Sequence, residues 1–218
     1  EPEKAKRELG FAAQIFEQNP SLQKCDPVSI INAVVNVART SITLNPVLKL
    51  AYLIPRKNKC VLEFSYVGLI KMLKDEGCIH YIEAFIVYED EEFEFDLTNS
   101  MINHKPVYVD TEDEQNKRVI KGCYSRAILP TKEVAYCFMP MWEVDKVRKM
   151  SMGADSKFSP WNMWKEEMIK KTVIKRHFKL LIGGNMSDNI SNVMSIENEN
   201  NALTKSYSKP SISNVLVD

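Results

Sequence analysis

Apolar residues in the first part of the chain recur at the spacing of α-helices. Residues 3–18 show this period, and Asn19-Pro20 ends the segment. Asp26 and Pro27 are typical of a helix start, because an aspartate caps the first turn and a proline fits the first helical position. The second helix is predicted to end by Asn45-Pro46, and its buried stripe is made of Ile30, Ile31, Val34, Val37, Ala38 and Ile42.

The middle of the chain has the composition of β-strands. The segments LKLAYLIP and KCVLEFSY predict two strands joined by a basic turn at residues 56–59. A short helix over residues 68–76 follows and is stopped by Gly77. Further strands are predicted at residues 79–88, 92–96, 106–109, 119–129 and 133–139, and further helices at 142–150 and 160–181.

Strands that cluster between helices, instead of alternating with them, indicate an α+β fold. We expect a largely antiparallel β-sheet flanked by helices, with a long basic helix after the strands. Residues 1–186 are interpreted as one domain. Residues 187–218 are rich in asparagine and serine, so this tail is expected to be weakly structured, and either to pack on the core or a neighbouring subunit or to bind a partner.

The 218-residue chain has a formal net charge of +0, but its charges are unevenly distributed. Acids concentrate in residues 83–96 and 110–114, and bases in residues 146–179. No apolar run reaches the roughly 20 residues that cross a bilayer, and the N-terminal residues do not resemble a secretory signal. Five scattered cysteines without a CxxC pair favour reduced, buried thiols. We therefore expect a cytoplasmic protein with no membrane partner.

The spacing of glycines and histidines argues against several kinds of site. None of the seven glycines stands in GxxxxGK[ST] or GxGxxG spacing, so ATP-driven chemistry is not expected. The three histidines lack the spacing of metal ligands. Asp90 and Glu91 are candidates for a divalent-cation site or a nuclease carboxylate pair, whereas the alternation in EEFEFD favours a half-exposed strand.

The stretch SPWNMWKEEMIKKTVIKRHFKLL combines a basic helix with two tryptophans. Lys171, Lys175 and Lys179 form one ridge of the predicted helix, although each like-charge pair at this spacing costs about 0.2–0.5 kcal/mol. At a rise of about 1.5 Å per residue the lysines stand about 6 Å apart, compatible with successive phosphates of a strand. The alternative is a solvated cationic face. Trp161 is expected in the core, and Trp164 either stacks on bases or packs in the core.

Five segments together resemble the RecT type of single-strand annealing proteins. These are NPSLQKCDPVSIINAVVNVA, LKLAYLIP, SYVGLIKML, HKPVY and the basic stretch above, and their order and spacing agree from about Asn19 to Leu181. One position departs from the family pattern, because Val67 stands where the family usually has a base. The region after Leu181 shows no resemblance.

The resemblance implies a phage or prophage recombination protein rather than an enzyme. Such proteins bind single-stranded DNA, assemble into rings or helical filaments, and anneal complementary strands into a duplex without a nucleotide cofactor. Residues 1–186 would then anneal DNA and form the oligomer in the cytoplasm, at the nucleoid of a bacterial host. A partner exonuclease and the host single-strand-binding protein are the implied protein partners. A Mg²⁺ requirement for annealing stays open.

The resemblance places DNA contacts at Lys170, Lys171, Arg176 and Lys179, and helical geometry adds Lys175. Further candidates for DNA binding are Arg56, Lys57, Lys59 and Trp164; no catalytic residue and no metal ligand is assigned. Two other functions stay open. One is a metal-dependent nuclease that uses Asp90 and Glu91, and the other is a non-enzymatic module whose basic helix binds an acidic protein.

Overall fold

The computed structural model describes residues 2–96, 98–99, 101–151, 153–182 and 187–205. Its contacts divide the chain into two compact units, residues 1–68 with 186–218 and residues 69–185. The elements in chain order are α1 (Pro2–Gln18), α2 (Pro20–Gln23), α3 (Pro27–Arg39), β1 (Ala51–Arg56), β2 (Lys59–Phe64), α4 (Tyr66–Asp75), β3 (Tyr81–Tyr88), β4 (Glu92–Asp96), β5 (Met101–Lys105), α5 (Glu112–Lys117), β6 (Ile120–Ile128), β7 (Val134–Pro140), α6 (Met141–Lys149), α7 (Pro160–Met163), α8 (Lys165–Leu181) and α9 (Asp188–Lys205).

Helix α3 begins where the sequence predicts but ends earlier. The carboxylate of Asp26 accepts the Ser29 backbone N–H at 2.8 Å, which is the expected N-terminal cap. The helix stops at Arg39, and the Thr40 hydroxyl donates to the Asn36 carbonyl at 2.8 Å. The predicted stripe is only partly correct: Val37 is buried in the helix and Ile42 in the following loop, Ile30 and Val34 are half-buried, and Ile31 and Ala38 are exposed.

The first unit contains an antiparallel hairpin of β1 and β2, as predicted. Arg56 pairs with Lys59 at its turn, where Lys57 has a positive φ of 57°. Gly68 at the start of α4 lies against Leu50, which directly precedes β1 of this hairpin. A Cβ on Gly68 would stand 2.1 Å from the Leu50 carbonyl oxygen, so the glycine of the SYVGLIKML segment is required by close backbone packing.

The expectation of a weakly structured tail is wrong for residues 188–205. They form helix α9, in which Ile190, Val193 and Ile196 are buried. The Asn200 amide also donates to the Leu62 carbonyl of β2 at 2.8 Å. The prediction from composition failed because a few apolar residues can anchor a helix to the core when they share one of its faces. Residues 206–218 of the predicted tail lie outside the described residues.

The second unit is built on an antiparallel sheet with the strand order β3-β6-β7, and β4 and β5 form a separate antiparallel hairpin. The strand predicted at residues 106–109 is wrong, because β5 lies at Met101–Lys105. Within β5, Ile102 and His104 pair with Phe95 and Phe93 of β4. The pairing agrees with the alternation of apolar and polar residues in β4. Pro106 follows directly after the last residue of β5.

Each face of the three-stranded sheet has its own packing. On one face, Cys123 of β6 is buried with Ile169 and Val173 of α8. On the other face, Tyr124 stacks on Phe85 at 5.0 Å between ring centroids, and Phe93 of the hairpin lies 6.0 Å from Tyr124. Helices on one side of a sheet of antiparallel strands confirm the predicted α+β class.

The cysteines behave as the sequence predicts. Cys25, Cys60, Cys123 and Cys137 are buried free thiols, and Cys78 is half-buried. Burial raises the pKa of Cys60 and of Cys123 to about 12 in each case, with smaller contributions from the neighbouring thiols. Thiols with such pKa values are packing groups rather than nucleophiles.

The predicted helix over residues 160–181 is interrupted. Trp164 adopts φ −135° and ψ 52°, which ends the short helix α7 and precedes α8. The Ser159 hydroxyl caps α7 by accepting the Trp161 backbone N–H at 3.3 Å. The break allows Trp161 to enter the core while Trp164 stays 65% exposed.

Candidate nucleic-acid interface

Helix α8 has one face buried against the sheet. Ile169, Val173 and Phe178 are buried there, whereas Leu180 is 68% exposed. His177 also points inward, because its Nδ1 lies 2.6 Å from the Ser125 hydroxyl of β6. Burial lowers the pKa of His177 to about 4, so this residue adds no positive charge to the helix at neutral pH.

The predicted DNA-binding residues of α8 lie on its remaining surface. Arg176 and Lys179 are exposed, and Lys170, Lys171 and Lys175 are half-buried. Lysine stems commonly lie along an apolar surface while the ammonium group reaches water. Arg176 and Lys179 are therefore accessible from solvent.

Lys170 and Arg176 of α8 each form an ion pair within the second unit. Lys170 lies 3.1 Å from Glu167 of the same helix, and Arg176 pairs with Glu143 of α6. Lys179 forms no ion pair with any residue that the structure describes. An exposed pair contributes about 0–1 kcal/mol, so a polyanion can compete with it at little cost.

Helix α6 extends the cationic surface of α8. The Glu143–Arg176 pair joins the start of α6 to the end of α8, and Arg148 at the other end of α6 donates to Asn162 of α7 at 2.8 Å. Thus α6 runs antiparallel to α8. Its last turn carries Lys146, Arg148 and Lys149. The sequence placed these cations in the basic region but did not assign them to the site; their proximity to α8 is a tertiary feature.

The aromatic residues of this region divide into buried and exposed ones. Trp161 is 4% exposed in the core, as expected, and its indole N–H has no hydrogen-bond partner among the described residues. Trp164 is 65% exposed, Phe158 is 80% exposed and Trp142 is 57% exposed. Exposed aromatic rings beside cations are what base stacking requires. The sequence analysis missed both: Phe158 lies within the basic residues 146–179, and Trp142 lies four residues before them.

Trp142 is already engaged with one cation. The Lys146 ammonium nitrogen lies 4.4 Å from the centroid of the Trp142 ring. Such a contact is worth about 0.5–1 kcal/mol at an exposed site, so it orients both groups without fixing them.

The three basic candidates of the β1–β2 turn belong to the first unit, whereas α8 belongs to the second. Lys57 and Lys59 are exposed. The Arg56 guanidinium instead lies 2.8 Å from Glu63 and donates to the Asn200 carbonyl at 3.2 Å. Arg56 therefore ties the hairpin to α9, which favours a positioning role for it over a contact with DNA.

The acidic segment around Asp90 forms a buried network. Glu91 accepts hydrogen bonds from the backbone N–H groups of Tyr88 at 2.9 Å and Val107 at 3.1 Å. Its side chain, 3% exposed, also contacts Arg118 at 2.7 Å and His104 Nε2 at 2.9 Å. Each carboxylate oxygen thus has two partners. The HKPVY segment places its histidine in this network.

The hydrogen-bond donors around Glu91 favour its ionised carboxylate. Burial alone would raise the pKa of Glu91, but hydrogen bonds from the Tyr88 N–H, Arg118 and His104 outweigh burial and lower it. Asp90 is held from both oxygens by Arg118, at 3.1 and 3.0 Å from the guanidinium Nε.

This geometry disfavours the nuclease alternative. Both oxygens of Glu91 are occupied by protein donors, and Asp90 is paired with a cation rather than turned toward a second carboxylate. Within the described part of the chain, no group of three or more His, Cys, Asp or Glu side chains is arranged to hold a metal ion.

The second unit is thus an α+β unit whose helices α6 and α8 carry cations and exposed aromatic rings. The chain belongs to the RecT family, whose model matches residues 7–207. It is 29% identical over 187 residues to Protein RecT of Escherichia coli (strain K12). That similarity covers 81% of this chain and 66% of the relative. Among the described residues, no helix is both long and apolar enough to span a membrane.

Proposed function

We propose that this protein binds single-stranded DNA and anneals complementary strands without hydrolysing a nucleotide. The observation that carries the proposal is the surface formed by α6 and α8. It combines the outward cations of both helices with exposed Trp142 and Trp164. Membership of the RecT family and similarity to Protein RecT support a role in recombination.

Each component of this surface matches one part of a DNA strand. Lys171, Lys175 and Lys179 repeat every four residues, so their spacing of about 6 Å follows successive phosphates. Exposed aromatic rings stack on bases at about 1–3 kcal/mol per base, with little sequence preference. Phosphate contacts likewise carry no base code, which suits a protein that must pair any complementary sequence.

Annealing needs no chemical energy source. Each base-pair step contributes a mean of about 1.4 kcal/mol of stacking, so a growing duplex is driven by its own formation. The protein has only to reduce the repulsion between two phosphate backbones and to keep the bases accessible. Lysines placed along one helix can supply the first of these by neutralising phosphates.

The working form is proposed to be an oligomer that assembles on DNA. The acids of residues 83–96 and 110–114 and the cations of α8 leave a neutral chain with separated charges. Such a chain can associate head to tail, and contacts of this kind close into rings or continue as helical filaments. An exonuclease and a host single-strand-binding protein are the proposed protein partners.

A fluorescence annealing assay with two complementary labelled oligonucleotides tests the proposal. Without nucleotide, the wild type should raise the annealing rate, and a Lys175→Ala/Lys179→Ala variant should raise it less. Parallel reactions with Mg²⁺ and with EDTA decide whether the cation is needed. A strict ATP requirement, or degradation of either strand, would show that the proposal is wrong.

The module that binds an acidic protein is distinguished by competition. Single-stranded DNA and an acidic peptide should both be titrated against the wild type over a range of salt concentrations. Tighter binding of the peptide than of DNA at the same salt would favour the protein-binding function instead.

A further inference from the structure

The outer edge of strand β3 lies in a groove. Within the described residues, β3 is an edge strand of its sheet, because β6 pairs with it on one side only. The groove has a volume of about 670 Å³ and is lined by Ala84, Phe85 and Ile86 of β3. Residues 106–112 line the groove as well, and α8 contributes Glu166 and Lys170. This volume is within the range of about 300–1,000 Å³ that is typical of ligand sites.

Strand β3 lacks the side chains that usually protect an edge, although its pairing with β6 is irregular between Val87 and Tyr88. Natural edge strands are blunted by lysine, proline or inward-pointing charge. The β3 sequence YIEAFIVY contains neither lysine nor proline. Its single charge, Glu83, is paired at 3.0 Å with Arg126 on the neighbouring strand β6. The edge is therefore chemically suited to pair with another strand.

Residues 106–112, which form the wall of the groove opposite β3, are held in place by hydrogen bonds. Val107 donates its backbone N–H to Glu91 at 3.1 Å, and its carbonyl accepts from Arg118 at 3.2 Å. Near the end of β3, the Tyr88 hydroxyl is bonded to Glu166 at 2.6 Å and to the Gln115 amide at 2.5 Å. The buried acidic network thus keeps the 106–112 segment in place beside the edge without pairing it to β3.

The charges of the groove select its occupant. Four acids and two bases line it, and both bases are already paired, Arg118 with Asp90 and Glu91 and Lys170 with Glu167. Asp110 and Glu112 are exposed on the wall of the groove. These carboxylates would repel a phosphate backbone and attract a cationic chain.

We propose that the groove beside β3 binds an extended, lysine- or arginine-containing segment of another protein as an added strand. Backbone hydrogen bonds to the free edge of β3 supply affinity, and Asp110 and Glu112 select the cationic side chains. The groove takes a ligand of the opposite charge to DNA, so it is a second site beside the DNA-binding surface proposed for α6 and α8. Lys170, which is paired with Glu167, is a predicted DNA-binding residue that also lines the groove.

A synthetic peptide with the length of β3, eight residues, is the probe. Its sequence alternates valine and lysine, it carries a fluorophore, and binding to the full chain is followed by anisotropy. Saturable binding is expected, and replacing the lysines of the peptide by glutamates should abolish it. A peptide with N-methyl groups on alternate amides has the same charge but cannot form the ladder, so it should bind about tenfold more weakly or worse.

Charge reversal on the protein provides a matched pair of variants. Asp110→Lys/Glu112→Lys should weaken peptide binding about tenfold or more. Asp113→Lys/Glu114→Lys changes the charge of the same region by the same amount, but neither residue lines the groove, so binding should be largely kept. Thermal melting of both variants controls for folding.

Three results would overturn the proposal. One is no binding of the valine–lysine peptide to the wild type. Another is that the N-methylated peptide binds as tightly as the unmodified peptide. This comparison uses only the wild-type protein, and equal binding would show that charge alone attracts the peptide. The third is a change in the oligomeric mass of the protein, measured without peptide, when Asp110→Lys/Glu112→Lys is introduced and no peptide binding is found. This result would assign the groove to a second copy of this chain.

Discussion

The acidic segment around Asp90 and the basic helix α8 are equally prominent in the sequence, but the structure uses their charges differently. Glu91 is buried and receives hydrogen bonds from two backbone amides, an arginine and a histidine. Arg176 and Lys179 of α8 are exposed, and Lys179 has no ion-pair partner among the described residues. The charge of Glu91 is therefore compensated by partners inside the second unit, whereas α8 presents positive charge to solvent.

The difference teaches that burial, not charge density, separates a structural cluster from a binding surface. An exposed pair such as Lys170–Glu167 is worth about 0–1 kcal/mol. Removing one member of a buried pair costs about 3–5 kcal/mol, because the other member is left without a partner. The same substitution is thus expected to affect folding in the acidic segment and binding in the basic one.

The largest effect is expected at Glu91. Glu91→Ala removes one of the two carboxylate partners of Arg118, whose side chain is 8% exposed, and leaves two backbone N–H groups without their acceptor. We expect a loss of about 3–5 kcal/mol in the free energy of unfolding, measured by urea denaturation. Asp90→Ala is the control, since Asp90 is 49% exposed and should cost less than about 1 kcal/mol. Equal losses would remove the distinction between buried and exposed carboxylates.

The buried face of α8 should make stability depend on pH. The pKa of His177 is lowered by burial from 6.5 to about 4, so the unfolded chain binds this proton more readily than the folded one. The stabilisation is complete above pH 6.5 and is lost as the pH falls toward 4. Between about pH 7 and pH 5 the free energy of unfolding should fall by roughly 2 kcal/mol from this residue.

Urea denaturation across this pH range, with His177→Gln beside the wild type, measures the effect. The variant should have a flatter pH dependence, whatever its absolute stability. His80→Gln is the control, because His80 is exposed and its replacement should leave the slope unchanged. A wild-type slope that persists in His177→Gln would assign the dependence to other groups.

The two tryptophans of the basic stretch should separate folding from binding. Trp164→Ala is expected to weaken binding of single-stranded DNA by about 1–3 kcal/mol with little change in melting temperature. Trp161→Ala should instead lower the free energy of unfolding by about 3–5 kcal/mol, because its ring is buried. Fluorescence titration and thermal melting measure the two quantities. If Trp164→Ala only destabilises the fold, its ring packs rather than stacks.

The smallest change in free energy is expected at the outward lysines. Lys175→Ala/Lys179→Ala should flatten the slope of log K against log salt by about 1.4 for single-stranded DNA, since each phosphate contact contributes about 0.7. Stability should stay within about 0.5 kcal/mol, and poly-dT and mixed sequences should weaken alike. Lys117→Ala, a cation of α5 beside the acidic segment, is the control. An unchanged slope in the double variant would make the ridge an ordinary solvated face.

Local patterns were enough to predict most elements of this chain. Asp26 and Pro27 mark the start of α3 because capping involves only neighbouring residues. The alternation of EEFEFD predicts β4, and the five-segment resemblance predicts the family. The errors occur where distant residues decide. The strand expected at residues 106–109 is instead a wall held by Glu91 and Arg118.

The sequence by itself determined the α+β class, the family and the cationic character of α8, because periodicity, caps and motifs depend on residues close along the chain. Only the tertiary structure decided which charges are compensated. The partners of Glu91 come from residues 88, 104, 107 and 118, and Arg176 meets Glu143 across two helices. Solvent exposure is a property of the packed chain. The tertiary structure therefore also decided that Trp161 is buried, that Trp164 is exposed and that the edge of β3 is open beside a groove.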